Sequence, residues 1–516
     1  MSFTSPVFLA VTGLLVAVYY LIPRRFQWLL LLAVSYLFYA SGGLQAIVFL
    51  LLTTGLTWAA GLVLERLNRQ ANDCRADKDR QKLLKKQKKL VVLTVCLLNF
   101  GMLLLLKHWD GIAGLIGTAA GGAVSLPDLI MPMGISFYMF QSIGYVVDVY
   151  RGKHEAQKNP AKFSLFVSFF PQMIQGPISR YGQLAPQLLG EHECSWEDLR
   201  DGIQLALWGY MKKLIIAERI GVVANTVFAD SGAYAGSILA VGVLAYSIQL
   251  YCDFSGGIDI TRGIARMLGI DLVENFRRPL FAVSLTDYWR RWHMSLGSWM
   301  REYVFYPLSL SRLFGKLGKW GRTHLPGKPG KMLGTTAATF VVYFLIGIWH
   351  GSSLKYIAFG FYNGILITVS MLLEGTFVVW RKKLGMTKES KLWQLFRLVR
   401  TWVIVFVGRY LTRAPRLLTG LTMIWRTVFD LHPGALLNGT VLQLGLGLGD
   451  WLVVAVGVLV LAAIELLQER GVRIRSWLAK QTGAVQWAAI MLALLAILFF
   501  GLGGSYTPAQ FIYAQY

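Results

Sequence analysis

Two histidines stand out in a chain otherwise poor in ionisable groups. His293 lies in WRRWHMSLGSWMREYVFYP at 289–307, and His350 ends the apolar run FVVYFLIGIWHGSS. Histidine titrates near neutral pH and can take a proton from a weak nucleophile. Ionisable side chains at membrane depth are costly, so they are functional candidates by default. The plainer alternative is a histidine that hydrogen-bonds a backbone carbonyl and pins two helices together. The residues leave both readings open for His350 and favour the pinning role for His293. Fifty-seven positions separate the two, so spacing alone does not bring them together. The other histidines, His108, His154, His192, His324 and His432, fall in predicted loops or at their edges, where a surface role is expected.

The surroundings of His293 read as a helix starting at Thr286-Asp287, with a hydroxyl cap and an acid near the positive end. Trp289, Trp292 and His293 then share one face at i, i+3 and i+4, and Met300 and Tyr303 extend it. Arg290, Arg291 and Arg301 fall elsewhere, within reach of headgroups or a phosphate. A helix at the membrane boundary accounts for the tryptophans and arginines and leaves the histidine unexplained. A second constellation is DFSGGIDITRGIARMLGIDLVENFRRP at 253–279. Asp259 and Arg262 can pair there at i, i+3, and the glycines allow close helix approach. Packing plus an internal ion pair is its plainer reading. No P-loop, strand-coupled G-x-G-x-x-G, H-E-x-x-H or G-x-S-x-G is present, so ATP-driven transport and serine hydrolysis lack support.

The elements that must position these residues are membrane helices. Of 516 residues, 55% are hydrophobic and only 15% charged, in blocks such as VFLAVTGLLVAVYYLIP and WLVVAVGVLVLAAIELL. The first block lacks a basic n-region and a cleavage site, so it is expected to stay as a helix. Spans are expected near 6–23, 26–41, 44–64, 90–106, 129–150, 201–227, 236–252, 334–349, 354–378, 401–423, 451–467 and 485–503. Two further segments, GIAGLIGTAAGGAV and FSLFVSFFPQMIQGP, are too short to span and suit a re-entrant or interfacial place around a cavity. The stretch from Glu65 to Lys89 holds ten basic residues and is expected to be cytoplasmic and helical. LSRLFGKLGKWGRTHLPGKPGKM, with six basic residues and no acid, falls on the same side, whereas Asp430–Asp450 carries no Lys or Arg. The excess of 51 Lys and Arg over 27 Asp and Glu therefore points to anionic membrane lipid rather than nucleic acid. The four cysteines show neither a disulfide framework nor a zinc spacing. No internal repeat appears, which weakens a transporter reading.

Taken together, the motifs resemble the membrane-bound O-acyltransferase family, and within it the bacterial alginate O-acetylation branch. The blocks that carry the resemblance are PMGISFYMFQSIGYVVDVYRG, FPQMIQGPISRY, YCDFSGGIDITRGIARMLGIDLVENFRRPL, TDYWRRWHMSLGSWMREYVFYPL, IGIWHGSSLKYIAFGFYNG and FIYAQY. They keep the family's order from about residue 130 to the end, and residues 1–130 match mainly in character. The resemblance implies an all-α polytopic fold, a ring of roughly 11–12 tilted helices with re-entrant elements around a cytoplasmic tunnel and an outer funnel. It also implies a single membrane domain over 1–516, with N-terminal helices 1–130, basic loop 65–89, catalytic core 131–380 and C-terminal helices 381–516. His350 matches the family's catalytic residue, and His293 its second signature polar residue. Trp289, Arg290, Trp292, Asp253, Asn275 and Trp349 follow as donor- or substrate-binding candidates. One departure is Gly257, where the branch carries a tyrosine.

The function this implies is transfer of an acetyl group from cytoplasmic acetyl-CoA, as donor substrate rather than bound cofactor, with no metal. The acceptor would be an exported polysaccharide such as alginate, or an extracytoplasmic acetyltransferase partner, at a bacterial cell membrane. His350 would act as general base or transient acyl carrier, and His293 would orient the donor or stabilise the oxyanion. D-alanyl transfer to a cell-wall polymer is the nearest alternative. A polysaccharide or lipid transporter and a synthase scaffold are rivals of other classes.

Overall fold

The computed structural model describes residues 3–107, 109, 132, 134–351 and 353–501. His108, the Gly-rich segment 111–124 and the C-terminal FIYAQY lie outside the described residues. Among the described residues every regular element is helical. Among the described residues seven helices are long and apolar enough to cross a bilayer: Leu44–Asp73, Lys78–Lys107, Gly236–Met267, Gly327–His350, Leu354–Leu372, Leu448–Glu469 and Gly483–Gly501. Pro6–Leu21 and Leu417–Phe429 are shorter apolar helices. The chain is an all-α, multi-pass membrane protein.

The helices gather into two compact units, Met1–Ala206 with Ile260–Val273, and Leu207–Asp259 with Glu274–Tyr516. In the first, Leu44–Asp73 and Lys78–Lys107 run as unbroken helices through the basic stretch, and Ile135–Tyr150 packs against both. The short segment around Pro171 is two buried helices, Pro160–Ser168 and Phe170–Gln175, which meet at Phe169. Pro171 sits in the first turn of the second, where its missing N–H costs nothing.

The expected span at 201–227 is helical throughout, but Met211–Ala217 is a π-helical stretch between Trp196–Tyr210 and Glu218–Ala229. Within it Lys212 and Lys213 are buried, at 3% and 1% exposure. Lys212 Nζ donates to Asp259 Oδ2 at 2.7 Å and to Ser255 Oγ at 3.0 Å. Lys213 Nζ lies 2.7 Å from Asp253 Oδ1 and 3.5 Å from Glu218 Oε1. These partners explain a correction. The span expected to end at 252 continues as helix to Met267, because its polar residues are met by lysines inside the protein rather than by water. Asp259 therefore has Lys212 as an ion-pair partner, while Arg262 donates to the Leu272 carbonyl at 3.2 Å. At Gly256 an added Cβ would stand 2.8 Å from the Gly209 carbonyl oxygen, so only glycine lets the backbones approach this closely.

The span expected over 401–423 is two helices, Lys391–Arg413 and Leu417–Phe429, separated at Ala414–Arg416. Gly327–His350 and Leu354–Leu372 pack through a glycine seam. A Cβ on Gly347 would lie 2.6 Å from Tyr356 O and 2.9 Å from Gly360 Cα. That contact fixes the helix ending at His350 against the helix carrying Tyr356 and Phe359.

Lys213→Ala strands a buried carboxylate. It is expected to cost about 3–5 kcal/mol and to lower the thermal unfolding midpoint in detergent sharply. Lys213→Met combined with Asp253→Leu removes both charges of the closer pair, leaves Glu218 without its lysine, and should recover part of that loss. A double variant as unstable as the single one would show that the pair is not the source of the effect.

Candidate functional site

The residues around His293 fold differently from a single amphipathic helix. Leu285–Arg291 is capped by Ser284, whose Oγ accepts from Asp287 N at 3.0 Å, and not by Thr286. The helix ends at Trp292, and His293 takes the left-handed conformation at φ 47°, ψ 52° before Met294–Trp299 begins. This breaks the shared face expected of Trp289, Trp292 and His293. A non-glycine residue held left-handed costs about 1–3 kcal/mol, and such strain clusters at functional sites.

Asn275 holds that turn. Met294 N donates to the Asn275 carbonyl at 2.9 Å, and Arg277 N donates to Arg291 O at 2.9 Å, stitching an irregular segment against the turn. Asn275 Oδ1 accepts from Ser295 N at 2.9 Å and from Ser295 Oγ at 2.8 Å, and it lies 3.3 Å from His293 Nδ1. A backbone N–H can only donate, so the shared atom is the amide oxygen and His293 Nδ1 carries the proton of that contact. In the neutral ring the lone pair is then on Nε2. His293 is 2% exposed, with the Phe254 ring edge-on at 4.9 Å.

Ion pairs frame the turn. Arg278 Nε donates to Glu469 Oε2 at 2.6 Å. Arg291 Nη1 reaches the two Glu469 oxygens at 2.9 and 3.0 Å, and its Nε reaches Asp287 at 3.2 Å. One carboxylate thus ties Arg278, three residues after Asn275, to Arg291, two residues before His293.

His350 is half-buried at the end of its helix. Its ring lies 4.7 Å from the Trp349 ring, 6.2 Å from Tyr356 in a stacked pair, and 6.0 Å from Phe359 edge-on. Trp349 also lies 6.2 Å from His293, so a single indole neighbours both histidines. Gly351 allows the stack, since a Cβ there would meet the Tyr356 ring at 2.7 Å.

The remaining candidates divide. Trp289 joins the aromatic wall of His350 through Phe359, at 6.3 Å, and donates its indole N–H to Asn363 Oδ1 at 3.2 Å. Trp292 is buried among Phe276, Tyr288, Tyr251 and Phe254, with the Arg409 guanidinium 4.7 Å over its ring. Trp292 and Trp299 are both buried within the protein, so contact with lipid headgroups does not account for them. Arg290 and Arg301 are exposed, whereas Arg291 is committed to Glu469 and Asp287. Asp253 is buried against Lys213. Tyr356, Phe359, Asn363 and the two buried lysines escaped the sequence reading. Two lysines inside a predicted span, in YMKKLII, were the signal that would have exposed the last pair.

This arrangement suits proton and acyl transfer in a membrane, and the comparisons with known proteins agree. The model of the membrane-bound O-acyltransferase family matches residues 156–325, a span that includes His293. The chain is 32% identical to the probable alginate O-acetylase AlgI of Pseudomonas aeruginosa over 425 residues, 81% of this chain and 73% of that protein. It is 30% identical to the peptidoglycan O-acetyltransferase of Helicobacter pylori over 267 residues, 47% of each chain. It is 27% identical to the teichoic acid D-alanyltransferase of Bacillus subtilis over 292 residues, 55% of this chain and 69% of that one. The protein is thus a membrane acyltransferase. It belongs to the membrane-bound O-acyltransferase family.

Asn275→Ala removes the acceptor shared by Ser295 and His293 and leaves a buried backbone N–H without it. The expected cost is about 1–3 kcal/mol in stability, with acyl transfer falling in parallel because the His293 turn loosens. Thermal unfolding and turnover of the purified variant check this, and unchanged values for both would refute the anchoring role.

Proposed function

We propose that the chain transfers an acetyl group from cytoplasmic acetyl-CoA for O-acetylation of an exported polysaccharide, directly or through an extracytoplasmic partner. The observation that carries this reading is the pair of histidines flanking Trp349, one buried and anchored, the other half-buried at a helix end. His350 takes the proton of the acceptor hydroxyl as its oxygen attacks the thioester carbonyl. The carbon–sulfur bond then breaks and coenzyme A leaves, taking up a proton. The alternative within the same site is attack by a His350 nitrogen on the thioester carbonyl with loss of coenzyme A; the carbon–nitrogen bond then breaks as the hydroxyl oxygen takes the acetyl group and gives up its proton.

His293 is a fixed partner rather than a second mobile base. With its Nδ1 proton committed to Asn275, the neutral ring offers Nε2 as an acceptor. That supports orienting the donor over stabilising an oxyanion, which would need a donated proton. Trp289 and Trp349 supply apolar walls, and the exposed Arg290 suits the donor's phosphates. The likeness to an alginate O-acetylase and a peptidoglycan O-acetyltransferase supports acetyl as the group and a polymer as the acceptor. The likeness to a teichoic acid D-alanyltransferase supports D-alanyl transfer as the second reading.

A donor screen with purified protein separates the two. Acetyl-CoA labelled in the acetyl group should yield acylated acceptor, and an aminoacyl carrier protein should not. The reverse result would replace acetyl with D-alanyl. His293→Ala is expected to lower turnover about 10²-fold. Unchanged kinetics would reduce His293 to a packing residue.

A further inference from the structure

The mechanism above leaves unused a basic groove on the first unit. It has a volume of about 550 Å³ and is lined by Lys78, Lys82, Lys85 and Lys88 with Gln81, Ala71 and Tyr150. The four lysines recur at i, i+4, i+7 and i+10 of the Lys78–Lys107 helix, which places their side chains on one face. Three of them are exposed and Lys88 is half-buried. Among the described residues none of the four has a carboxylate within ion-pair distance. Two of the acids nearby are used elsewhere. Asp77 accepts from the backbone of Arg80 at 2.9 Å, and Glu65 pairs with Arg69.

The groove is also organised. Lys88 Nζ donates to Asn68 Oδ1 at 3.0 Å and lies 5.8 Å from the Tyr150 ring centroid, so the ammonium at its inner end is held in place. Gln81 Nε2 donates to the carbonyls of Ala71 and Cys74, closing the turn between the two long helices. Like charges gathered on one face repel one another, and a ligand anion offsets that repulsion. The groove lies at the foot of the apolar part of the same helix, and tyrosine, here Tyr150, is a residue type that favours the bilayer surface.

We infer that this groove is a binding site for a ligand carrying two or more phosphate charges. A single phosphate diester, with one charge, would leave most of the four ammonium groups uncompensated. A diphosphate fits both the charge and the volume. That chemistry has two sources, the headgroup of a diphosphatidyl lipid in the membrane and a soluble polyphosphate.

The test uses the full-length protein in nanodiscs of phosphatidylcholine. In one arm diphosphatidylglycerol is added to the bilayer, and in the other sodium pyrophosphate to the buffer, each read as a shift in thermal unfolding midpoint. Lys82→Gln combined with Lys85→Gln keeps helix propensity and should weaken the response about thirtyfold in ligand concentration. Lys316→Gln combined with Lys319→Gln, which removes two charges from the Arg312–His324 helix, should leave it unchanged. A response to the lipid alone assigns the membrane source, and one to pyrophosphate alone assigns the soluble source. No response in either arm overturns the site. So does an equal loss in both double variants, because it would mean general surface charge.

Discussion

An irregular turn inside a membrane protein must have its backbone satisfied by the protein itself, and here one asparagine meets much of that demand. Asn275 receives Met294 N through its carbonyl, and Ser295 N, Ser295 Oγ and His293 Nδ1 converge on its side-chain oxygen. Without those acceptors the left-handed turn at His293 would expose unpaired donors where water is scarce. That amide anchors the histidine's turn and sets its tautomer in the neutral state, while Phe254 and Trp349 meet its ring.

Charged groups give the turn a stiff surround. Glu469, from the end of Leu448–Glu469, bridges Arg278, which follows Asn275, and Arg291, which precedes His293. The buried lysines of the π-helical stretch hold Asp253 and Asp259 on the helix that also carries Phe254, whose ring meets His293 edge-on. Buried ion pairs add little net stability when complete and cost much when broken. Their effect here is to fix register, so that aromatic side chains meet the histidines at set distances. The glycine seam between Gly327–His350 and Leu354–Leu372 acts to the same end on His350, bringing Tyr356 and Phe359 against its ring.

Hydropathy and charge made the membrane class and the helical basic stretch legible, because both depend on local composition. They misplaced the end of Gly236–Met267, since Asp253, Ser255 and Asp259 look polar in sequence yet find Lys212 and Lys213 forty or more positions upstream. They also read Trp289 to His293 as one face of a helix. The break at Trp292 is set by Asn275, a tertiary partner that no local pattern announces. His350 was visible because an ionisable residue ended an apolar run. Its aromatic neighbours Tyr356 and Phe359 looked like ordinary span residues. Two of the motif blocks supplied what periodicity lacked, since they carry His293, Trp349 and His350, and the fold brings both histidines beside the Trp349 ring.

The central claim is that His350 carries the chemistry, and its substitution tests it most directly. Acetyl transfer from labelled acetyl-CoA would be compared for the parent protein and His350→Ala, with thermal unfolding measured on the same samples. A loss of about 10³-fold or more is expected, with a folded protein whose unfolding midpoint falls only modestly for the lost ring contacts to Trp349, Tyr356 and Phe359. Substantial acetyl transfer by a well-folded His350→Ala protein would contradict it.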